Sequence, residues 1–562
     1  MTDTDYQWFE DFRKTAAFET LHKRPIAYFC AEFAVSDFLQ IYSGGLGVLA
    51  GDITREASDQ KLPMVAVGLY YRKGYFHHDI VDSKVQLRNF PNTSPEKAGF
   101  FKVVTADGSP LLIQVPIADH TIQVQAWGLQ IGSVTMYLLD SGVSGNSEED
   151  KDITDCLYVP DKSIRFRQEV ILVIGGVRLL AALNIYPSVY HLNEGHSALS
   201  VFEIAEHEVK KHGNDFLSTL MQARDRLVFT NHTLLPAGNE SYSVELIKKE
   251  LEQFQKEIQF PIENLIKLGM SDVDEFFSMT SLALNMSASV NAVSVLHAEK
   301  AAEIWPDHPM EPITNGIYIP KWDSILPHED IWKQHQNNKD VLLKVIKEST
   351  GQSWGVDELL VGWAKRIVAY KRPLALFEDL KRFLETVKNT DRPVKIVMAG
   401  KAHQNDLEAV AVLKELDHLI STELKGHVVY ISNYNLDLAK LMTTGCDIWL
   451  NTPIVGYEAC GTSGMKAALN GVLPLATRDG WGSEVNMFGI GWDLASNNVG
   501  TSILDELEYN VLPMYYSQDK TEWISHMKNA RELIQTQFSS TKMLRKYIEK
   551  MYMKSIEVNH ET

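Results

Sequence analysis

The residues with the clearest chemistry form one run: Glu458-Ala459-Cys460-Gly461-Thr462-Ser463-Gly464-Met465-Lys466-Ala467-Ala468-Leu469. Small residues make a turn, and the apolar residues after it open a helix that carries one lysine. An ammonium inside an apolar element must shift its pKa, find a partner or become covalently bound, and Schiff-base formation with an aldehyde cofactor is one established use. Gly461, Thr462, Ser463 and Gly464 offer backbone N–H groups and hydroxyls at a helix start, where a phosphate prefers to sit. An amine that seeks an aldehyde beside a turn that seeks a phosphate suggests pyridoxal phosphate. A plain Gly/Ser turn before a snorkelling lysine gives the same string, so other segments have to decide.

A second constellation is Trp363-Ala364-Lys365-Arg366-Ile367-Val368-Ala369-Tyr370-Lys371-Arg372. Lys365, Arg366 and Lys371 converge if a strand ends between them, and two adjacent phosphates need such cations to offset their repulsion. This cluster reverses the sign of a chain whose formal net charge is -19. A third segment, Ser43-Gly44-Gly45-Leu46-Gly47, falls between a strand and a helix, so its amides can approach an anion or a sugar that a Cβ would block. A tight turn is the more frequent explanation of such a loop alone.

The lysine turn is similar to the cofactor-binding signature of the α-glucan (glycogen, starch, maltodextrin) phosphorylases, and the resemblance runs from Ile26 to about Glu484, to a short prokaryotic form. It implies that Lys466 carries pyridoxal 5'-phosphate, with Gly461, Thr462, Ser463, Tyr434, Trp322 and Lys365 around the cofactor. It implies catalytic roles for Lys365 at the cofactor phosphate, for Arg366 and Lys371 at the substrate phosphate, and for His232, whose main-chain carbonyl faces the anomeric centre. Gly45 and Leu46 are implied to lie against phosphate and the reacting glucose. Asn315, Tyr370, Glu458, Cys460 and Gly461 are implied glucose ligands, and Glu32, Asn193, Glu194 and His196 are implied to surround the glucan chain. Cys460 stands where serine is more usual, and Val368 and Ala369 replace polar residues of longer forms.

The implied reaction is reversible phosphorolysis of a terminal α-1,4-linked glucose by inorganic phosphate, giving α-glucose 1-phosphate with retention. A homodimer is a family expectation. The N-terminal phosphorylation and nucleotide-effector regions of animal members have no obvious counterpart, so such regulation is not expected. Two rivals stand beside this reading: a glycogen-synthase-like transferase using a nucleotide sugar, and a non-catalytic glucan-binding protein. Lys466 in its turn speaks against the first, and the retention of Lys365, Arg366, Lys371 and Lys466 speaks against the second.

Elements must position these residues. Short β-type runs (IAYFCAEF, MVAVGLYY, SVYHLN, RLVFTNH) alternate with helical stretches, and the texture restarts with LLVGWAKRI, VKIVMAG, HVVYISNY, CDIWLNTP and GVLPLAT. Such alternation predicts an α/β fold with parallel sheets. The reading is two Rossmann-like doubly wound domains facing a deep cleft, a GT-B type arrangement, spanning 1–320 and 321–562. The boundary falls near Ile313–Trp322, and a terminal helix over about 515–559 returns to the first domain.

The acidic balance argues against nucleic acid or an anionic membrane as partner and is compatible with a neutral glucan. Cys30, Cys156, Cys446 and Cys460 lie far apart without a CxxC pair, so neither a disulfide framework nor a metal site is expected, and a reducing cytoplasm fits. The polar, acidic N-terminus does not read as a signal peptide. The apolar run Val170–Leu183 is interrupted by Gly175, Gly176 and Arg178 and reads as a core helix rather than a membrane span.

Overall fold

The computed structural model describes residues 3–36, 38–75, 77–81, 84–88, 94–235, 238–270, 275–402 and 406–558. Asn559, the far limit expected for the terminal helix, lies outside the described residues.

Two large sheets organise the chain. In the first, parallel strands lie in the order Val134–Asp140, Met64–Leu69, Ile26–Phe29, Val189–Asn193, Leu227–Asn231, Ser289–Ala292 and Glu311–Pro312. The central strand Ile26–Phe29 is buried at every position, as a parallel strand covered on both faces requires, and so reads as an unbroken apolar run. In the second sheet all six strands are parallel, in the order Val428–Ile431, Val394–Lys401, Leu359–Arg366, Ile448–Asn451, Leu473–Thr477 and Trp492–Leu494.

The first sheet differs from the expected alternation at one edge. Strand His120–Ile131 pairs antiparallel with Val134–Asp140, and Phe101–Lys102 and Ile113–Ile117 pair antiparallel with it. The reason is local: Gly132 and Ser133 make a two-residue turn with Gly132 at φ 56°, the positive φ that hairpin turns demand. Period-2 alternation through TIQVQAWGLQ was a legible signal for this hairpin.

The C-terminal segment is not one helix. Thr521–Gln537 stops at Phe538, and a new helix starts at Ser540 with Ser539 as its N-cap, accepting the Lys542 N–H. Trp523, Met527, Ala530 and Ile534 belong to the core of the second sheet, whereas Met543, Leu544, Tyr547, Met551, Tyr552 and Ile556 belong to that of the first. The break has a physical cause: one straight helix cannot bury its apolar stripe in two cores, so the chain bends where it passes from one to the other. At the break it runs beside the earlier passage, with Ile317 N–H donating to Phe538 O at 2.9 Å and Ser540 N–H to Ile317 O at 2.8 Å. Glycine is required here, because a Cβ on Gly316 would lie 2.3 Å from Ser539 O.

The returning helix also completes a buried polar chain. His191 Nε2 lies 2.8 Å from Thr230 Oγ1, which itself donates to Asn291 Oδ1 at 2.6 Å. The proton is therefore on Nε2, and Nδ1 accepts from Tyr552 O–H at 2.7 Å. Burial holds this imidazole neutral by pulling its pKa down to about 3.

Candidate active site

Each sheet reverses its strand order beside its first strand, between Ile26–Phe29 and Val189–Asn193 in one and between Leu359–Arg366 and Ile448–Asn451 in the other. Ligands of open α/β sheets bind outside the carboxyl ends at such points, and the candidate residues collect there.

Lys365 and Arg366 end strand Leu359–Arg366, and the chain returns through the turn Ala369–Lys371. Lys371 Nζ donates to Glu458 Oε1 at 2.5 Å. Burial pushes the Glu458 carboxyl up, but Lys371, Lys365 and Arg366 outweigh it and hold the group below its usual range, so it is charged. Desolvation opposes the Lys371 charge, and Glu458 and Tyr370 more than restore it. Lys365 fares differently: its buried Nζ has no hydrogen-bond partner, and desolvation pulls its pKa down to about 7. Glu458 Oε2 is likewise buried and unpartnered. An open ammonium and an open carboxylate oxygen in one buried spot are costly unless a ligand satisfies both, and phosphate oxygens with sugar hydroxyls would do so.

Arg366 is exposed to solvent yet lies close to Tyr370, Tyr75 and Tyr158, which offset the desolvation of its guanidinium and raise its pKa. Tyr75 and Tyr158 belong to the half of the chain that builds the first sheet. Arg372, the fourth basic residue of the segment, turns away from the cluster. It adopts φ 46° and donates to the carbonyls of Thr452, Pro453 and Ser496, bracing the loop that leads to Glu458. That loop is held from the other side by Asp479, whose carboxylate accepts the N–H groups of Gly456, Glu458 and Gly480 at 3.0 Å each. Gly461 follows closely, since a Cβ there would fall 2.9 Å from Glu458 Oε1.

The depressed pKa of Lys365 predicts a pH signature. Folded Lys365 releases its proton near pH 7, whereas the unfolded side chain holds it until about 10.4. Stability rises with pH wherever the unfolded state binds more protons. Between pH 7 and 9 the protein without cofactor should thus gain about 2–3 kcal/mol from this group alone. Urea unfolding of wild type and Lys365→Met at both pH values checks this: the variant should lack that increment.

Lys466 is buried on helix Ser463–Leu469, where its Nζ donates to Thr462 Oγ1 at 3.1 Å and lies 4.3 Å from the centre of the Trp322 indole. Desolvation pulls its pKa down to about 8. Ser463 Oγ accepts from Trp449 Nε1 at 3.2 Å, which leaves the Thr462 hydroxyl as the one that meets the amine. Tyr434 is half-buried and lies beside Tyr42, just before the glycine loop.

On the first sheet's side, helix Gly45–Asp59 begins in the glycine loop, and a Cβ at Gly44 or Gly45 would meet nothing within 4 Å. These glycines border open space, while Leu46 is half-buried against the core. Glu32 anchors the loop: Oε2 accepts the Ser43 and Gly44 N–H groups at 2.6 and 3.4 Å, and Oε1 accepts Tyr158 O–H at 2.7 Å.

Glu194 has φ 76° and ψ 164°, a region almost reserved for glycine, where a side chain costs about 1–3 kcal/mol. Its carboxylate accepts the His232 N–H at 3.0 Å and the Gly195 N–H at 3.1 Å, and burial raises its pKa to about 8. His232 Nε2 lies 2.7 Å from Asn193 Oδ1, while Asn193 Nδ2 donates to Cys30 Sγ at 3.2 Å. His232 thus carries a proton on Nε2, and burial holds the ring neutral by lowering its pKa to about 3. His196 is buried with an unpartnered Nδ1.

Hydrogen bonds also join the two halves of the chain. Ser294 Oγ donates to Ala459 O at 2.7 Å, and Thr314 Oγ1 donates to Glu484 Oε2 at 2.8 Å. Next to them Asn315 Oδ1 is buried without a partner, and the Cys460 thiol, its pKa raised by burial, meets the backbone of Trp481 and Asn315. The structure thus groups Lys365, Arg366, Tyr370, Lys371, Glu458 and Gly461; it sets Lys466 with Thr462 and Trp322, and Glu32 with the glycine loop. Asp479, Tyr158 and Arg372 act on these groups and were not singled out from sequence as site residues. The Asp-Gly pair in Arg478-Asp479-Gly480 was the one local turn signal among them.

A model of the family described as carbohydrate phosphorylase matches residues 323–555. A maltodextrin phosphorylase of Thermococcus litoralis is 34% identical, over 95% of this chain and 71% of its own length. A glycogen phosphorylase of Aquifex aeolicus is 32% identical, over 96% of this chain and 88% of its own length. The chain belongs to the carbohydrate phosphorylase family. An uncharacterized protein of Methanocaldococcus jannaschii, 30% identical over 94% of this chain and 100% of its own length, is matched end to end. Within the family's matched region lie the three cations and the lysine helix, whereas the glycine loop and Glu194 lie outside it. Among the described residues no helix is long and apolar enough to cross a membrane.

Proposed function

We propose that this chain is an α-1,4-glucan phosphorylase which cleaves a terminal glucose with inorganic phosphate and releases α-glucose 1-phosphate with retention. Its two sheets face a cleft in a GT-B arrangement, and Lys466 holds pyridoxal phosphate. The observation that carries this reading is the unpartnered, buried Lys365 ammonium beside the Lys371–Glu458 pair at the second sheet's switch point. That arrangement supports a site for more than one anion next to a sugar.

What pyridoxal phosphate supplies when bound is a second phosphate with a pKa of about 6, able to exchange a proton with the substrate phosphate near neutral pH. Lys365 holds that phosphate, and Arg366 and Lys371 hold the substrate phosphate. Glu458 accepts hydrogen bonds from adjacent glucose hydroxyls through the oxygen that Lys371 leaves open. His232, fixed by Asn193 and Glu194, presents its carbonyl to the sugar. The two halves close over the reacting bond and exclude water that would hydrolyse it.

The protein supplied with pyridoxal phosphate should release glucose 1-phosphate from a maltooligosaccharide and phosphate. Glucosyl transfer from a nucleotide sugar, with no phosphorolysis, would establish the transferase reading instead. A separate prediction concerns the linkage at Lys466. Because the working group is the phosphate, borohydride reduction of that linkage should leave most activity, with the reduced adduct located on Lys466 by peptide mass. Complete inactivity after clean reduction would refute this division of labour.

A further inference from the structure

Helix Gly45–Asp59 carries two buried acids that the phosphorolysis scheme does not use, Asp52 and Glu56, and Asp52 is the one that meets Trp322. Asp52 is only 1% exposed. Its Oδ2 accepts from Trp322 Nε1 at 2.7 Å and from the Tyr318 backbone N–H at 3.4 Å. Its Oδ1 has no hydrogen-bond donor and faces the Lys321 ammonium at 3.7 Å. The same Trp322 ring lies 4.3 Å from Lys466 Nζ, so the carboxylate and the lysine sit on one buried indole. Neighbouring ionisable groups are engaged elsewhere. Asp59 accepts Tyr318 O–H at 2.6 Å, Glu56 takes Ser540 and Gln60, and Arg55 donates to the carbonyls of Ala34, Val35 and Gly51.

We propose that Asp52 is the counter-charge of Lys466, setting the protonation of the lysine nitrogen from the helix that begins at the glycine loop. The proposal rests on the reading that Lys466 takes pyridoxal phosphate. Capture needs the neutral amine: its lone pair attacks the aldehyde carbon, a C=N bond forms, and the carbonyl oxygen leaves as water. A carboxylate nearby keeps the nitrogen protonated to higher pH, and Lys321 opposes it. Burial lowers the Lys466 pKa most, and against it Asp52 raises the pKa while Lys321 lowers it further. Asp52 is a positioning residue in this role, acting on the amine and touching no substrate.

The test uses the full chain freed of cofactor. Pyridoxal phosphate is added at a series of pH values, and the adduct on Lys466 is quenched with borohydride and counted by peptide mass. The wild-type capture rate should rise with pH around a midpoint near 8. Asp52→Asn retains an acceptor for Trp322 Nε1 and should lower that midpoint by about 1 pH unit. Lys321→Met, at a half-buried side chain, should raise it, which supplies an opposite sign that misfolding would not produce. Midpoints unchanged in both variants would overturn the proposal. Failure of the wild-type protein to form any adduct at Lys466 would instead overturn the cofactor reading, and the proposal with it.

Discussion

Lys371→Ala lowers kcat for glucose 1-phosphate formation by about 10³-fold, the scale seen when one preorganised charge-stabilising contact is removed from an active site. The same change also destabilises the fold. It leaves the Glu458 carboxylate buried without the ammonium that donates to it at 2.5 Å, and breaking such a pair costs about 3–5 kcal/mol. Lys365 and Arg366 stand close enough to act on Glu458, so the loss falls toward the lower end. The two effects separate in the double variant Lys371→Met/Glu458→Gln, which removes both charges: stability should return and activity should not. Kinetics and urea unfolding of the three proteins decide this. Recovery of activity in the double variant would refute a role for these charges beyond packing.

Glu194→Gly should split stability from function in the opposite sense. Glycine relieves the backbone at φ 76° and ψ 164°, a gain of about 1–3 kcal/mol. It also removes the carboxylate that accepts the His232 and Gly195 N–H groups, which offsets a similar amount. Net stability should therefore stay within about 1 kcal/mol of wild type. Glucan phosphorolysis should fall about 10²-fold in kcat/KM, because a 1 Å misplacement of a positioning group costs that much and the His232 backbone loses its anchor. An active Glu194→Gly protein would mean that the strain is incidental.

The parallel strands and the placement of Lys365, Arg366 and Lys466 were legible because they rest on local signals: apolar runs, a basic strand end, a lysine after a small-residue turn. The hairpin edge of the first sheet was equally local, in the alternation before Gly132. Other features are set by contacts far apart in sequence. Asp52 meets Trp322 across 270 positions, and nothing around Gly51-Asp52-Ile53 distinguishes that acid from any other polar residue of a helix. Asp479 adds the amides of Gly456 and Glu458 to that of its neighbour Gly480 only because the loop at Gly456–Glu458 is folded over it. The αL turn of Arg372 and the strain at Glu194 depend on backbone angles that their residue types do not reveal. The break at Phe538–Ser539 was illegible for a related reason. Both sides of it are helical by pattern, and only the existence of two cores decides where the helix must stop.

The late return of residues 540–556 to the first sheet orders events during synthesis. The strands of the first sheet are complete at Pro312, yet His191 lacks its Tyr552 partner, 361 positions away, and the core lacks Tyr547, Met551 and Ile556. At ~5–20 residues per second, roughly 230 further residues keep that surface uncovered for ~10–50 s on the ribosome. In that interval the nascent chain presents an apolar face fit for chaperone capture, and the second sheet is made before the first can close.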